Sequence, residues 1–354
     1  MKLSREFTAI VACCRSNAAD RGLLFDKAER FDWALFLRLA QFHRVQGLVW
    51  KAVGSNAGSL PEEIASQLAD DARAIASDNL RLAVECGRLQ EAFAAGQIPL
   101  LFVKGLPLAV LAHGGIAEKA GIDIDLLVPA DALRQSAILL NDLGYCALGP
   151  GAEDIDRWHL AGKESCWIHV TERHLVDLHS RLSDHRALIP SIGIDSPRQM
   201  VAVAPHITLP TLELDALFAY LCVHGASSAW FRLKWIVDLA ALLDRLGLAE
   251  VEPLYRASQQ IGAGRTAGQA LLLAHALFGT LTEAPALQRE LIADRLTRWL
   301  FKAAIKQLAG AREPVEPTSR KLGTAIIHLT QLALVRDWRF PLSEAVRQVR
   351  AAVR

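Results

Sequence analysis

Asp123 and Asp125 stand two apart in the segment Gly121-Ile122-Asp123-Ile124-Asp125-Leu126-Leu127-Val128, where acids alternate with apolar residues. In an extended strand residues two apart share a face, so both carboxylates converge on one point while Ile122, Ile124 and Leu126 turn toward a core. Like charges so placed raise each other's pKa, and a divalent cation between them makes the pair stable; hard oxygen ligands favour magnesium. A third acid lies in Leu175-Val176-Asp177-Leu178-His179, where the same alternation puts Asp177 and His179 on one face. A buried strand carboxylate is costly without a partner, and a metal shared with the first two acids would supply one.

Upstream, Lys104-Gly105 closes an apolar run and precedes a helix. A glycine there permits close backbone approach, a helix N-terminus attracts phosphate, and Lys104 adds a point charge. Downstream, in residues 223–238, His224, Arg232 or Lys234 could touch phosphate or acceptor, and Trp230 or Trp235 could offer a base-stacking surface. The plainer reading pairs Lys234 with Asp238, four residues on, along a helix surface and leaves the tryptophans in the core.

The elements that must position these residues follow from periodicity. Residues 7–96 read as helical, with Trp33, Leu35, Phe36, Leu39, Ala40 and Phe42 at three-and-four spacing. A Gly/Ser/Asn-rich break at 53–59 precedes a long helix with Ser59 as N-cap, Pro61 near the first turn and Glu62 and Glu63 at its positive end. Short apolar or alternating runs predict strands at 98–103, 122–128, 145–148, 167–170 and 174–179, the last two joined by a turn at 171–173. Helices are predicted at 108–111 and 129–143, with a polar loop around Pro150, Gly151 and Asp154. From Leu212 the texture is helical again, broken at 262–264 and at 313–317, a Pro-rich loop or linker. The fold class is therefore α+β, with a helical region at 1–96, a mixed-sheet catalytic domain at 97–210 and a helical domain at 211–354.

Composition removes several classes. The 354 residues are 52% hydrophobic, yet apolar stretches such as 270–278 fall well short of the roughly 20 residues a membrane span needs. The opening residues fit no signal peptide, and six cysteines without a Cys-x-x-Cys pair read as reduced thiols of a cytoplasmic protein. A net charge of +1 with no basic block argues against long nucleic acid as a partner.

Taken in order, Phe102-Val103-Lys104-Gly105, the Asp123 to Val128 segment, Val176-Asp177-Leu178-His179, and Val223-His224-Gly225 with Trp230, Leu233, Trp235, Asp238 and Leu239 resemble the nucleotidyltransferase superfamily that includes DNA polymerase beta. Similarity is greatest to an uncharacterised bacterial branch of it, over roughly residues 30 to 245 and including Leu37 to Ala40 and His43 to Val45. The resemblance implies that Asp123, Asp125 and Asp177 are catalytic and hold two magnesium ions. It implies a nucleoside triphosphate, ATP as donor, lying against Lys104 and Gly105, with Lys119, His179, His224 and Lys234 as further nucleotide contacts. An acceptor hydroxyl or phosphate oxygen attacks the α-phosphorus and pyrophosphate leaves. Members of the branch look like tailoring enzymes, which leaves a sugar, a peptide or a small metabolite as acceptor. This chain departs from the pattern twice: Leu106 follows Gly105 where the superfamily usually has Ser, and Lys119 stands where the branch has Arg, keeping the charge but losing the bidentate fork. Two rival readings are a catalytically inactive nucleotide- or partner-binding module of the same fold, and a zinc-type hydrolase built on the histidines between His159 and His185, whose spacing matches no helical metal motif.

Overall fold

The computed structural model describes residues 3–15, 31–54, 60–160, 162–309, 316–317 and 324–352. Three helices come first, α1 (Arg5–Cys13), α2 (Trp33–His43) and α3 (Gln46–Val53), and α4 (Glu62–Ala95) follows. Pro61, fixed in φ, is the N-cap of α4, with Glu62 and Glu63 in its first turn; the expected cap Ser59 lies outside the described residues. Only the second half of α4, from Leu82 to Phe93, packs into the core below the sheet.

The alternating region then runs β1 (Leu101–Phe102), α5 (Leu106–His113), β2 (Asp123–Leu127), α6 (Leu133–Asp142), β3 (Tyr145–Ala147), α7 (Ile155–His159), β4 (Glu164–His169) and β5 (Leu175–His179). These five strands form one mixed sheet in the order β1-β2-β5-β4-β3. β2 and β5 are parallel at its centre and every other pairing is antiparallel. Register sets Asp125 opposite Asp177, Leu127 opposite His179, and Glu164 on β4 opposite His179 from the other side.

Strand alternation divides the sheet's faces. Ile124, Leu126, Val176, Leu178 and Trp167 join Leu89 and Phe93 of α4 and Leu133, Ala137 and Leu140 of α6 in one core. The acids take the opposite face. Next to that face stands a second, larger core made of α1 to α3, of α8 (Leu214–Ser227) and α9 (Leu233–Leu246), and of the helices that follow them. Those are α10 (Val251–Gln260), α11 (Thr266–Phe278), α12 (Pro285–Ala293), α13 (Arg295–Ala309) and α15 (Phe340–Ala352), while α14 (Ala325–Gln331) packs on α8. Leu101, Val103 and Leu127 belong to this larger core, so the β1/β2 edge is clamped against the helices that carry the rest of the site.

Several elements differ from the sequence expectation. β1 is only two residues long, because Pro99 has no N–H to give to a ladder. Ile122 lies outside β2 and is 40% exposed rather than buried. β4 begins three residues earlier than expected, at Glu164, its start masked by the polar Glu164 and Ser165. The supposed loop after β3 contains α7, anchored by buried Ile155. A hairpin, β6 (Arg198–Ala204) with β7 (Ile207–Leu212), was not expected; it lays Val201, Val203 and Leu209 against the sheet's core. Of the Pro-rich stretch at 313–317, only Glu316 and Pro317 lie within the described residues. No helix among the described residues is long and apolar enough to cross a membrane. All six cysteines are free, with Cys13, Cys86 and Cys222 buried and Cys146 and Cys166 exposed.

Candidate active site

Asp125 sits at the middle of β2 and is 3% exposed. Its Oδ1 is 2.8 Å from the Lys104 ammonium and 3.1 Å from His179 Nε2. A carboxylate only accepts, so the proton of this last bond sits on Nε2. Burial alone would raise the Asp125 pKa, but Lys104 and the hydrogen bond from His179 outweigh it and hold the carboxyl well below its usual range. For Lys104 burial works against the charge, and Asp125 and then Asp123 more than offset it, so the ammonium persists. Asp123 Oδ2 lies 3.7 Å from the same ammonium, which therefore stands between the two acids of β2.

Asp177 faces Asp125 across the parallel ladder and accepts from the Cys166 thiol at 2.9 Å. Burial, then the charge of Asp125, raise its pKa to about 6. Ligand atoms of Asp125, Asp177 and His179 all lie within 4.8 Å of one another. Within that cluster Asp125 Oδ2 and His179 Nδ1 are buried with no hydrogen-bond partner. The orphaned Asp125 Oδ2 beside the half-buried Asp177 carboxylate fits a divalent cation, which satisfies such an atom where the protein does not. Glu164, which the sequence reading passed over, brings Oε2 to 3.4 Å from His179 Nδ1 and pairs with Lys163. Its signal was present, since Glu164 and Cys166 alternate on one strand face, but the strand's true start was not.

A narrow cleft opens on the other side of Lys104. Lys104, Gly105, Lys119, His224 and Lys234 all line it, together with Asp123 and Trp235. Gly105 has φ 70 and ψ −126, a conformation closed to side-chain-bearing residues, and this turn delivers the N-terminus of α5 to the cleft. That first turn has no side-chain cap, so its amide groups remain for an anion. Lys119 is presented by the loop before β2, whose carbonyls at Ile116 and Lys119 accept from the buried Asn79 amide of α4 at 2.5 and 2.7 Å.

α9 supplies Lys234 and Asp238, but not as a surface pair. Asp238 is buried and takes His113 Nε2 at 2.8 Å and Lys119 Nζ at 3.6 Å. Lys234 has no ion-pair partner among the described residues, and burial, then Lys119 and Arg44, lower its pKa to about 7. His224 is held neutral well below its usual pKa by burial and Lys104, and its Nε2 is unpartnered. One turn earlier on α8, Tyr220 buries a hydroxyl without a partner, close enough to Lys104 and Asp125 for both to act on it. Its spacing of four from His224 was the available signal.

Other candidates go elsewhere. His179 lies in the acidic cluster and not along the lysine cleft. Arg232 caps the α2 end through the Phe42 carbonyl, stacks on the Phe42 ring and pairs with Glu316. Trp230 is fully buried over Gly225, where a Cβ would come within 2.4 Å of its ring. Trp235 is half-buried and packs edge-on against His224 at 5.4 Å. The remaining histidines disperse: His159 bonds Ser180 and Ser165, His169 bonds Thr171 and Glu172, and His185 bonds Ser343. Among the described residues only His179 joins a ligand cluster.

Residues 29–279, most of the chain, match a family described as uncharacterised nucleotidyltransferase. The chain belongs to this family. No curated protein matches it. The match spans β1 to β5, the lysine cleft and α8 to α11, so every residue of the site described above falls within the family's extent. Membership supports nucleotidyl transfer as the general activity and a nucleoside triphosphate as substrate.

Proposed function

We propose that the chain is a magnesium-dependent nucleotidyltransferase of the DNA polymerase beta type, with ATP as donor. One observation carries the proposal. Lys104, Lys119 and Lys234 line one cleft that ends at Asp123, beside the acidic pair of Asp125 and Asp177. A triphosphate has the charge for the lysines, and its α-phosphorus end would meet the acids. Asp123, Asp125 and Asp177 would hold the metal. When bound, magnesium neutralises charge on the phosphoryl oxygens and on the leaving pyrophosphate.

The chain's own residues do the rest. Lys234 and Lys119 bind the β- and γ-phosphates, and the uncapped α5 turn orients them. Asp177, ionised at neutral pH with its pKa near 6, takes the proton from the acceptor hydroxyl. The acceptor oxygen forms its bond to the α-phosphorus as the bond to the bridging β-oxygen breaks, and the electron pair leaves with pyrophosphate. Positioning and charge neutralisation suffice for this chemistry, so no covalent protein intermediate is needed.

The test is a thermal-shift panel of nucleotides with and without magnesium, because stabilisation follows ligand concentration over dissociation constant. ATP with magnesium is expected to raise the midpoint most, and a panel in which no nucleotide moves it overturns the reading. Lys234 adds a pH signature. With its pKa near 7 in the free protein, it is charged below that pH and neutral above. Triphosphate binding favours the charged form, so ATP affinity should fall as pH rises from 6 to 8.5. Lys234→Met should weaken binding at pH 6 and flatten this slope. An unchanged slope in the variant would exclude Lys234 from the phosphate contacts.

A further inference from the structure

A large groove lies past the C-terminal ends of β2 and β5, away from the lysine cleft. It comprises two adjoining hollows of about 570 and 760 Å³ that share Arg181, Arg186 and Leu160. The segment after β5 forms one wall and α15 the other, with Arg347 and Arg350. Four guanidinium groups thus face two carboxylates, Asp156 and Asp184. Asp156 is already engaged from outside by Arg134 at 3.3 Å. Arg347 is satisfied by Glu344, whereas Arg186 and Arg350 have no ion-pair partner among the described residues. Burial, then the neighbouring Arg186, disfavour charge on Arg181, and Asp184 offsets only part of this.

Arg181 is built in. It donates to the carbonyls of His159, at 2.5 Å, and Ser183, at 3.2 Å, which fixes the floor between α7 and the segment after β5. It also follows His179 by two residues, roughly 7 Å along an extended chain. The groove therefore begins close to where the acidic cluster ends. The walls carry exposed apolar surface as well, with Leu160 71% and Trp158 39% exposed.

We propose that this groove binds the acceptor, and that the acceptor carries an oxyanion, a phosphate or a carboxylate, held by Arg181, Arg186 and Arg350. The inference rests on the nucleotidyl-transfer reading for the word acceptor, and on the groove's own residues for the anion. Planar guanidinium forks match both oxyanions in bidentate geometry, which lysines do not. The apolar rim suits the body of such a molecule.

Trp158 lines the groove and reports on it. The full chain is titrated with inorganic phosphate in one arm and acetate in the other, with the lysine cleft first saturated by magnesium and a non-hydrolysable ATP analogue. A saturable change in tryptophan fluorescence is expected with at least one anion, lost in Trp158→Phe, and the preferred anion names the acceptor's group. Arg186→Ala with Arg350→Ala, both at exposed positions, should raise the midpoint at least tenfold while leaving ATP stabilisation unchanged. No response to either anion, or a midpoint that ignores the arginines, overturns the groove while ATP stabilisation keeps the donor reading. Anion binding without any nucleotide stabilisation would overturn the acceptor assignment together with that reading.

Discussion

Replacing Lys104 by Met is expected to cost about 3–5 kcal/mol of stability, the usual consequence of leaving one charge of a buried pair behind. Asp125 is almost wholly buried and its nearest cation is the Lys104 ammonium at 2.8 Å. Methionine keeps the length and apolar stem of the side chain, so the loss is the charge rather than packing. The sign with pH follows from Asp125. Its folded pKa is depressed, so its ionised form contributes stability above its ordinary carboxylate pKa, and that contribution disappears as pH falls through the folded value. In Lys104→Met the depression is weakened to what His179 supplies, Asp125 takes up a proton more readily, and the gap to the native protein narrows toward acid pH. Magnesium should stabilise the variant more than the native protein, because the ion no longer competes with an internal ammonium. Thermal midpoints at pH 5 and 7.5, with and without magnesium, test this. Equal midpoints for variant and native protein at neutral pH would show that Asp125 does not depend on Lys104.

Asp125→Asn should have the largest effect on chemistry. The substitution keeps volume but removes the charge that binds Lys104, orders His179 and pairs with Asp177 at the shared register. Disturbing even the outer partners of a metal site costs about 10- to 100-fold in affinity or activity, and a direct ligand should cost at least as much. Divalent affinity measured by calorimetry should fall accordingly. Asp177 should lose the part of its pKa elevation that the Asp125 charge supplies and keep the larger part that burial supplies. Undiminished metal affinity in Asp125→Asn would remove Asp125 from the metal site.

The acids were legible because strand periodicity is strict: a spacing of two puts Asp123 with Asp125 and Asp177 with His179 whatever the rest of the chain does. The Gly105 turn was legible for a similar reason, since a strand ending in Lys-Gly before a Pro-bearing helix has few conformations. What the chain concealed depends on contacts distant in sequence. A spacing of four allowed Lys234 and Asp238 to pair, but burial brings His113 and Lys119 to Asp238 and leaves Lys234 with no ion-pair partner among the described residues. Arg232 could be placed near the site by sequence order, yet its guanidinium turns to Phe42 and Glu316. Glu164 was hidden because a strand that opens on Glu-Ser looks like a loop until its ladder to His179 is seen. The arginine groove is the extreme case, since its walls are joined by contacts such as His185 to Ser343, 158 residues apart.

In the proposed reaction the acids of β2 and β5 and the lysines of the adjoining cleft act together on one metal-bound triphosphate. Manganese, as a magnetic substitute for magnesium, tests it most directly. Bound manganese is counted by electron paramagnetic resonance with and without a non-hydrolysable ATP analogue. The analogue is expected to tighten manganese binding at least tenfold in the native protein. Manganese affinity indifferent to the nucleotide, or tight stoichiometric zinc in protein purified without chelator, would contradict it.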